Sequence, residues 1–451
     1  MEPSEPSATA PSVAFATLGC KTNQFESAAM QEQLSAAGYR AVPFADGADL
    51  VIVNTCTVTN ATDAQSRNLI RRARRLNPGC RVVVTGCYAQ VDPQALASLP
   101  GVAVVIGNDE KRRLLDYVVA ESTGQTIAVG DIRTSRSAVA PPPLTSFAGR
   151  SRAFVQIQNG CDAFCSYCII PFARGVSRSS AVADVEQQVV SLLAAGYAEI
   201  VLTGIHIGGY GKDLSPPVSL LQLLQSLLEK TGVRRLRLGS IEPTELPDAL
   251  LDLVANSAAI CPHFHVPLQS GDNAVLRRMQ RTYDRELFRE RIMAIHARLP
   301  HAGIGLDVIT GFPGETEQEF ANTCRLIEGL PVSDLHVFPY SRRPGTVAAA
   351  FADQVPGDVS RQRAESLRQL AAAKQRAFAG RFIGETLEVV VENSDDGMLR
   401  GVSRNYLDVC FAGPNTVRGQ AVPVRIVGIV DDHLTGELLA GPKADDFLSK
   451  T

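Results

Sequence analysis

The run Cys161-Asp-Ala-Phe-Cys165-Ser-Tyr-Cys168 places three thiols within eight residues, spaced C-x3-C-x2-C. It follows the strand-like segment Ala153-Phe-Val-Gln-Ile-Gln158, so the thiols lie in a loop just past a strand. Structural zinc sites draw four protein ligands, often as two C-x2-C pairs. Four-cysteine ferredoxin sites saturate every iron with thiolate. Neither pattern is completed here: no fourth cysteine and no histidine at ligand spacing lies nearby, and the next cysteine downstream is Cys261. Three thiolates on a cubane cluster leave one iron open to bind something else. The bland alternative is three free cysteines packing as small hydrophobes; this spacing in a glycine-flanked loop argues against it.

Upstream, Val13-Ala-Phe-Ala-Thr-Leu-Gly-Cys20 reads as a short apolar strand ending in a glycine turn, and a helix is expected over 24–38. Asp49-Leu-Val-Ile-Val-Asn54 and Arg81-Val-Val-Val-Thr85 are two more apolar strands, with an arginine-rich helix between them. Strands alternating with helices predict a Rossmann-like α/β domain with a parallel sheet covered on both faces. Ligands gather beyond the carboxyl ends of such strands. Cys20, Cys56 and Cys87 each follow a strand end, so three thiols far apart in sequence are placed on one sheet edge, where they can meet at an ion or cluster. Cys80, Cys261, Cys324 and Cys410 lack that placement and read as packing residues. Arg67, Arg71 and Arg75 share a helical face that suits either phosphate or plain solvent.

Downstream of the cysteine loop, five helix–strand units follow, and with the strand before the loop they predict a six-stranded partial (β/α) barrel. Chemistry in such barrels gathers at the C-terminal strand ends. Those ends carry Gly204, Ser240, Glu242, Gln269 and Glu315. The two glutamates suit an ammonium group or ribose hydroxyls. His206, His263 and His265 show no ligand spacing and read as hydrogen-bonded strand-end histidines. After a helix over 361–380, four short strands separated by Gly, Asn and Asp turns predict a small β-barrel.

Composition sets the outer bounds. The 451 residues exceed one ordinary core. With 45% hydrophobic and 20% charged residues the chain reads as soluble and globular. No apolar run approaches the roughly 18 residues that span a bilayer, and the acidic, Pro/Ser-rich start (MEPSEPSATAPS) does not resemble a secretory signal. A cytoplasmic protein without a membrane partner is expected. The 44 basic and 47 acidic side chains nearly cancel, so a nucleic-acid partner needs local patches. Six arginines against nine carboxylates between 376 and 437 supply no such patch in the C-terminal segment. The expected organisation is a disordered tail (1–12), an N-terminal domain (13–140), a linker (141–152), the partial barrel (153–376), the small β-barrel (377–441) and a C-terminal tail (442–451).

Scattered Cys20, Cys56 and Cys87, then the Cys161/Cys165/Cys168 triplet, then a small β-barrel: this order resembles the methylthiotransferase family of radical S-adenosylmethionine enzymes over nearly the whole chain. The resemblance implies two 4Fe-4S clusters, an auxiliary one on Cys20, Cys56 and Cys87 and a radical one on Cys161, Cys165 and Cys168. It implies a C-terminal TRAM domain, and Tyr167, Gly204, Ser240, Glu242 and Gln269 as contacts to S-adenosylmethionine. Thr17-Leu-Gly-Cys-Lys-Thr-Asn-Gln24, Ile205-His-Ile-Gly-Gly-Tyr-Gly211 and His336-Val-Phe-Pro-Tyr-Ser-Arg-Arg-Pro-Gly-Thr346 are most similar to the branch acting on threonylcarbamoyladenosine in tRNA. The implied reaction uses S-adenosylmethionine twice. One molecule methylates a sulfur at the auxiliary cluster; a second is cleaved to a 5'-deoxyadenosyl radical that takes hydrogen from C2 of the modified adenine beside the anticodon. An electron donor and a sulfur source, both unidentified, are implied partners, and a monomer is expected. The alternatives are the same chemistry on isopentenyladenosine in tRNA or on a ribosomal-protein aspartate. More distant is a non-enzymatic iron-sulfur protein that binds RNA.

Overall fold

The computed structural model describes residues 10–119, 124–135, 144–147 and 149–439. The expected C-terminal tail (442–451) lies outside them, as do residues 1–9 of the N-terminal tail and 141–143 and 148 of the linker. The chain forms two compact units. The first comprises Met1–Ser146, Gln156–Ser180 and Ser341–Ala349; the second comprises Phe147–Val155, Ala181–Tyr340 and Ala350–Thr451. The cysteine triplet therefore belongs to the first unit, together with Cys20, Cys56 and Cys87.

The first unit is built on six strands: β1 (Ser12–Thr17), β2 (Arg40–Ala41), β3 (Leu50–Thr55), β4 (Arg81–Gly86), β5 (Val102–Ile106) and β6 (Thr126–Ala128). They form one parallel sheet in the order β2-β1-β3-β4-β5-β6. Alternate residues explain why both faces are covered. Val51, Val53, Val82 and Val84 join one apolar cluster with Ile70. Leu50, Ile52 and Val83 join another with Met30 and Leu34. The short strands β2, β5 and β6 extend the sheet beyond the three apolar runs legible in the sequence. Strand order reverses between β1 and β3, so the loops after these two strands flank a topological switch point, where α/β sheets bind ligands. Past β7 (Arg152–Gln156), β8 (Gln158–Asn159) pairs antiparallel with β9 (Arg178–Ser179) and closes the base of the cysteine loop.

In the second unit the strands are β7, β10 (Glu199–Thr203), β11 (Leu236–Arg237), β12 (His263–His265), β13 (Gly303–Thr310) and β14 (Asp334–Pro339). Ladders join β11-β10-β7 and β12-β13-β14, and the bridges Leu236↔Ile260 and Ser240↔His265 connect the two sets. The order is sequential, as expected for a six-stranded partial barrel. Five further strands, β15 (Thr386–Asp395), β16 (Met398–Ser403), β17 (Asp408–Ala412), β18 (Ala421–Val430) and β19 (His433–Leu438), close a barrel in the order β15-β16-β17-β19-β18. The sequence reading found four of these; β19 completes the closure, pairing parallel to β17 and antiparallel to β18. Val389, Val391, Leu399, Val409, Phe411, Val424 and Leu434 fill its core. This closed five-stranded barrel is consistent with a TRAM domain.

The two parts of the second unit are joined by a buried charge cluster. The Glu199 carboxylate is fully buried and accepts from Arg235 Nε (2.6 Å) and from Arg237 Nε (2.7 Å) and Nη2 (2.9 Å). The same guanidiniums reach into the C-terminal barrel. Arg235 donates to the Glu388 carboxylate and the Val402 carbonyl, and Arg237 to the carbonyls of Ser403 and Arg404. Arg152 pairs with Glu199 at 3.4 Å and with Glu392 at 2.7 Å. Tyr406 lies under Arg237, with the guanidinium carbon 4.9 Å from the ring centroid, and stacks on His263 at 4.3 Å.

Candidate functional site

Two residues after β1, Gly19 adopts φ +91°, and a Cβ there would stand 2.8–2.9 Å from Cys56 Cβ and Sγ. Glycine is needed both for the left-handed turn and for the room the Cys56 thiol occupies. Helix α1 (Lys21–Ala36) starts immediately after Cys20, three residues earlier than the expected 24, because Cys20 itself is the extended N-cap residue. Cys56 follows β3 directly. Cys87 opens the short helix α3 (Cys87–Val91), and Gly86 before it has φ +96°. A Cβ on Gly86 would collide with the Thr55 carbonyl, so the chain can enter α3 only through glycine. The Thr55 hydroxyl accepts from the backbone amides of Tyr88 (3.2 Å) and Ala89 (3.3 Å), fixing the start of α3 against the end of β3.

The structure brings Cys20, Cys56 and Cys87 together at this sheet edge. Burial pushes the Cys56 thiol up to about 12, and the neighbouring sulfurs of Cys87 and then Cys20 add to the effect. Such a thiol stays protonated until a metal displaces the proton. Among the described residues, the one group of three whose ligand atoms all lie within 4.8 Å is His265, Asp307 and His336, so neither cysteine triplet closes around a single ion.

The Cys161–Cys168 loop is pinned at its ends: Cys161 N donates to Gly175 O (3.0 Å) and Cys168 N to Cys165 O (2.9 Å). Its backbone is also held from outside, where Ala348 N donates to Ser166 O at 2.7 Å. Phe164 sits at φ +45° with half its surface exposed, packed edge-on against Phe172. All three loop cysteines are partly buried.

Arg174 ends the short helix Ile170–Arg174 that follows the loop, and no part of it is exposed. Its Nε donates to Cys87 Sγ at 3.2 Å. Its terminal nitrogens bind both oxygens of Glu26 and the Asn23 side-chain oxygen. Lys111 reaches the same Glu26 at 2.6 Å. Burial alone would raise the Glu26 carboxyl, but Arg174 and Lys111 outweigh it and hold the group down at about 2. Two buried cations thus share one carboxylate, leaving one positive charge beside Cys87. An anionic sulfur-ligated group answers that charge, so the donor set and its surroundings fit iron-sulfur ligation.

A second arginine lies within the quoted stretch 336–346, but its partners could not be read from the sequence. Arg343, nearly fully buried, donates to Thr57 Oγ1 (2.6 Å) and Asp63 Oδ2 (2.7 Å) through Nη2, and to Asn60 Oδ1 (2.5 Å) through Nη1. It therefore clamps the segment that follows Cys56. Replacing it with alanine leaves Asp63 unpaired, which costs about 3 kcal/mol or more for a buried pair. The Arg343→Ala protein, prepared without metal, is expected to show a lower unfolding midpoint and faster alkylation of Cys56. Wild-type labelling at Cys56 would remove Arg343 from the positioning of that thiol.

The other residues singled out in the sequence fall as follows. Gly204, Ser240, Glu242 and Gln269 lie at the C-terminal ends of second-unit strands; Ser240 bridges His265 and Gln269 bridges Val308. Gln269 has φ +64°, and Glu242 is held by Arg281. Tyr167 lies in the cysteine loop of the first unit. Glu315, expected to be free for a ligand, is buried and committed to Arg363 (2.8 Å) and the Gly311 amide (2.7 Å). His206 is bonded to Glu245 at 2.8 Å, as the absence of ligand spacing suggested. In the arginine stripe, on helix α2 (Asn60–Leu76), Arg67 is engaged by the Tyr88 hydroxyl at 2.9 Å, while Arg71 and Arg75 are exposed.

Comparison with known proteins agrees with this architecture. Residues 12–107 match the model described as uncharacterized protein family UPF0004, and residues 155–327 match the radical SAM superfamily. The chain is 41% identical over 444 residues to the threonylcarbamoyladenosine tRNA methylthiotransferase MtaB of Bacillus subtilis, covering 94% of this chain and 98% of that protein. It belongs to the radical S-adenosylmethionine methylthiotransferases. Within this family it is 32% identical over 431 residues to the tRNA-2-methylthio-N(6)-dimethylallyladenosine synthase of Clostridium botulinum, covering 93% of this chain and 95% of that one. The methylthiotransferase also shares its fold with the radical S-adenosylmethionine methyltransferase TsrM of Kitasatospora setae. There the TM-score is 0.54 at 17% identity, over 85% of this chain and 79% of that one. Membership in the radical family implies a 4Fe-4S cluster and S-adenosylmethionine as cofactors. No helix among the described residues is long and apolar enough to cross a membrane.

Proposed function

We propose that this methylthiotransferase inserts a methylthio group at C2 of N6-threonylcarbamoyladenosine in tRNA. The observation that carries the reading is the 41% identity, along almost the full length of both chains, to an enzyme named for that nucleoside. The dimethylallyladenosine relative stands lower, at 32%.

In this reading Cys161, Cys165 and Cys168 hold the radical cluster, and Cys20, Cys56 and Cys87 hold a second, auxiliary one. Bound at these three cysteines, a radical cluster would supply the one-electron chemistry that cleaves S-adenosylmethionine and, through that cleavage, leads to substitution at C2 of the adenine. The remaining work belongs to the chain. Arg174 donates to Cys87, and because it shares the single Glu26 carboxylate with Lys111 it favours anionic sulfur at that place. Asn23 is fixed to the Leu18 and Thr55 carbonyls at 2.7 and 3.0 Å and so ties the loop of Cys20 to the strand of Cys56. Gly204, Ser240, Glu242 and Gln269 are assigned to S-adenosylmethionine, with Arg281 holding the Glu242 carboxylate in place. Tyr167 is assigned to the same cofactor. The reaction needs an external electron donor and a sulfur source.

Mass spectrometry of tRNA nucleosides from cells lacking and then regaining this gene tests the proposal. The 2-methylthio form of threonylcarbamoyladenosine is expected to vanish on deletion and to return on complementation. An unchanged nucleoside profile would move the substrate elsewhere.

A further inference from the structure

The central strands β12, β13 and β14 of the second unit differ between their two faces. Ile304, Leu306, Val308 and Leu335 are buried on one side. Asp307 and His336 are paired in register on the other, and Gly305 stands in register with both His265 and Asp334. Four ligand-type side chains thus occupy adjacent rungs of one open sheet face. His265 Nε2 lies 3.0 Å from Asp307 Oδ2, and His336 Nδ1 lies 3.2 Å from Asp307 Oδ1. The outer nitrogen of His336, Nε2, faces Asp334 Oδ2 at 3.3 Å. Gly305 leaves room for the first imidazole, since a Cβ there would approach His265 Nδ1 to 3.1 Å.

We propose that His265, Asp307 and His336 form a binding site for a divalent first-row transition metal ion, distinct from the six cysteines. The ligand atoms lie within 4.8 Å of one another, as a shared ion requires. Two imidazoles with one carboxylate and open remaining positions suit iron(II), manganese or zinc rather than magnesium or calcium. Asp334 completes the pattern. A histidine ligand commonly donates its other ring nitrogen to a carboxylate, which fixes the tautomer and makes the ligand more basic. Charge points the same way, because among the described residues Asp307 and Asp334 have ion-pair partners only in these histidines. Hydrogen bonds to Asp307 and Asp334 push the His336 imidazole up to about 10, so a dication bound here displaces that proton and takes its place opposite the two carboxylates. All four side chains retain access to solvent, from 14% for His265 to 49% for His336, so positions on the ion remain for an oxygen ligand.

Zinc alone is the probe. Anaerobic full-length protein carrying its clusters is equilibrated with zinc, desalted and analysed for metal beside a His265→Ala/His336→Ala double variant. One more equivalent of zinc is expected in the wild type. Asp334→Asn keeps all three ligands and is expected to weaken zinc binding about 10–100-fold. Equal zinc in the wild type and the double variant overturns the proposal. If the double variant does not fold, wild-type affinity in the Asp334→Asn protein overturns it.

Discussion

Alanine at Cys20, Cys56 and Cys87 together is expected to abolish methylthiolation of tRNA, while reduction in the presence of S-adenosylmethionine is still expected to yield 5'-deoxyadenosine. This split is the largest effect expected of any substitution here, because it separates two reactions that share one protein. The three thiols neighbour one another at the sheet edge where strand order reverses, and Arg174 donates into the Cys87 sulfur. Sulfur insertion is assigned to that place, whereas cleavage is assigned to Cys161, Cys165 and Cys168. Cys56 and Cys87 are buried, so the substitution also tests packing. The second readout controls for that. Both triplets lie in the same compact unit, and a variant that still forms deoxyadenosine has kept that unit folded. Methylthiolated tRNA from the triple variant would end the two-cluster reading; loss of both products would show that the thiols are needed for folding.

The second large effect is on stability. Glu199→Ala strips the shared carboxylate from Arg235 and Arg237, whose side chains are 2% and 0% exposed. Removing one partner of a buried ion pair costs about 3–5 kcal/mol, because the charge left behind has no solvent. Here Arg237 loses the carboxylate it is paired with, Arg235 is left with Glu388 alone, and both also bridge to the C-terminal barrel. Burial raises the Glu199 carboxyl, but Arg237 and Arg235 outweigh it and hold the group far below the ordinary carboxylate range. A depressed carboxyl contributes its stability above its unfolded pKa and loses it as pH falls towards the folded value. Its contribution is therefore complete at neutral pH and fades only in strong acid. Thermal unfolding at neutral pH, with Glu365→Ala as a control, measures the effect. Glu365 pairs with Arg368 at the surface, both more than half exposed, and such a pair contributes about 0–1 kcal/mol. Equal shifts in the two variants would mean that the Glu199 cluster is not what joins the barrels.

What could be read from the sequence follows a simple division. The sheet of the first unit was legible where a strand is a continuous apolar run, as in β1, β3 and β4, and each cysteine position followed from its strand end. The cysteine loop was legible because its chemistry is local. The supporting residues were not. Arg174 meets Glu26 across 148 positions, and Arg343 meets Thr57 across 286. A lone arginine in sequence carries no sign of its partner. His265 was read as a hydrogen-bonded strand-end histidine, as its contact with Asp307 bears out, but its grouping with Asp307 and His336 was not legible: each comes from a different strand, and only the register of the sheet puts them on one face. Strand β19 is Gly- and Thr-interrupted and has no sustained apolar alternation to announce it. Glu315 was misread because a strand-end carboxylate looks free until Arg363, 48 positions later, takes it.

The buried contact of Arg174 with Glu26 and Cys87 also bears on how this protein can be dissected. The two matched family regions, 12–107 and 155–327, invite the view of separable modules with a cut between them. The physical seam runs elsewhere. A fragment ending before residue 150 would leave Glu26 with Lys111 alone and Cys87 without its donor, in a cavity shaped for a guanidinium that the other fragment carries. Neither matched region is an interchangeable cassette. A chimera between relatives that exchanged one region without the other would set Arg174 from one parent against Asn23, Glu26 and Cys87 from the other.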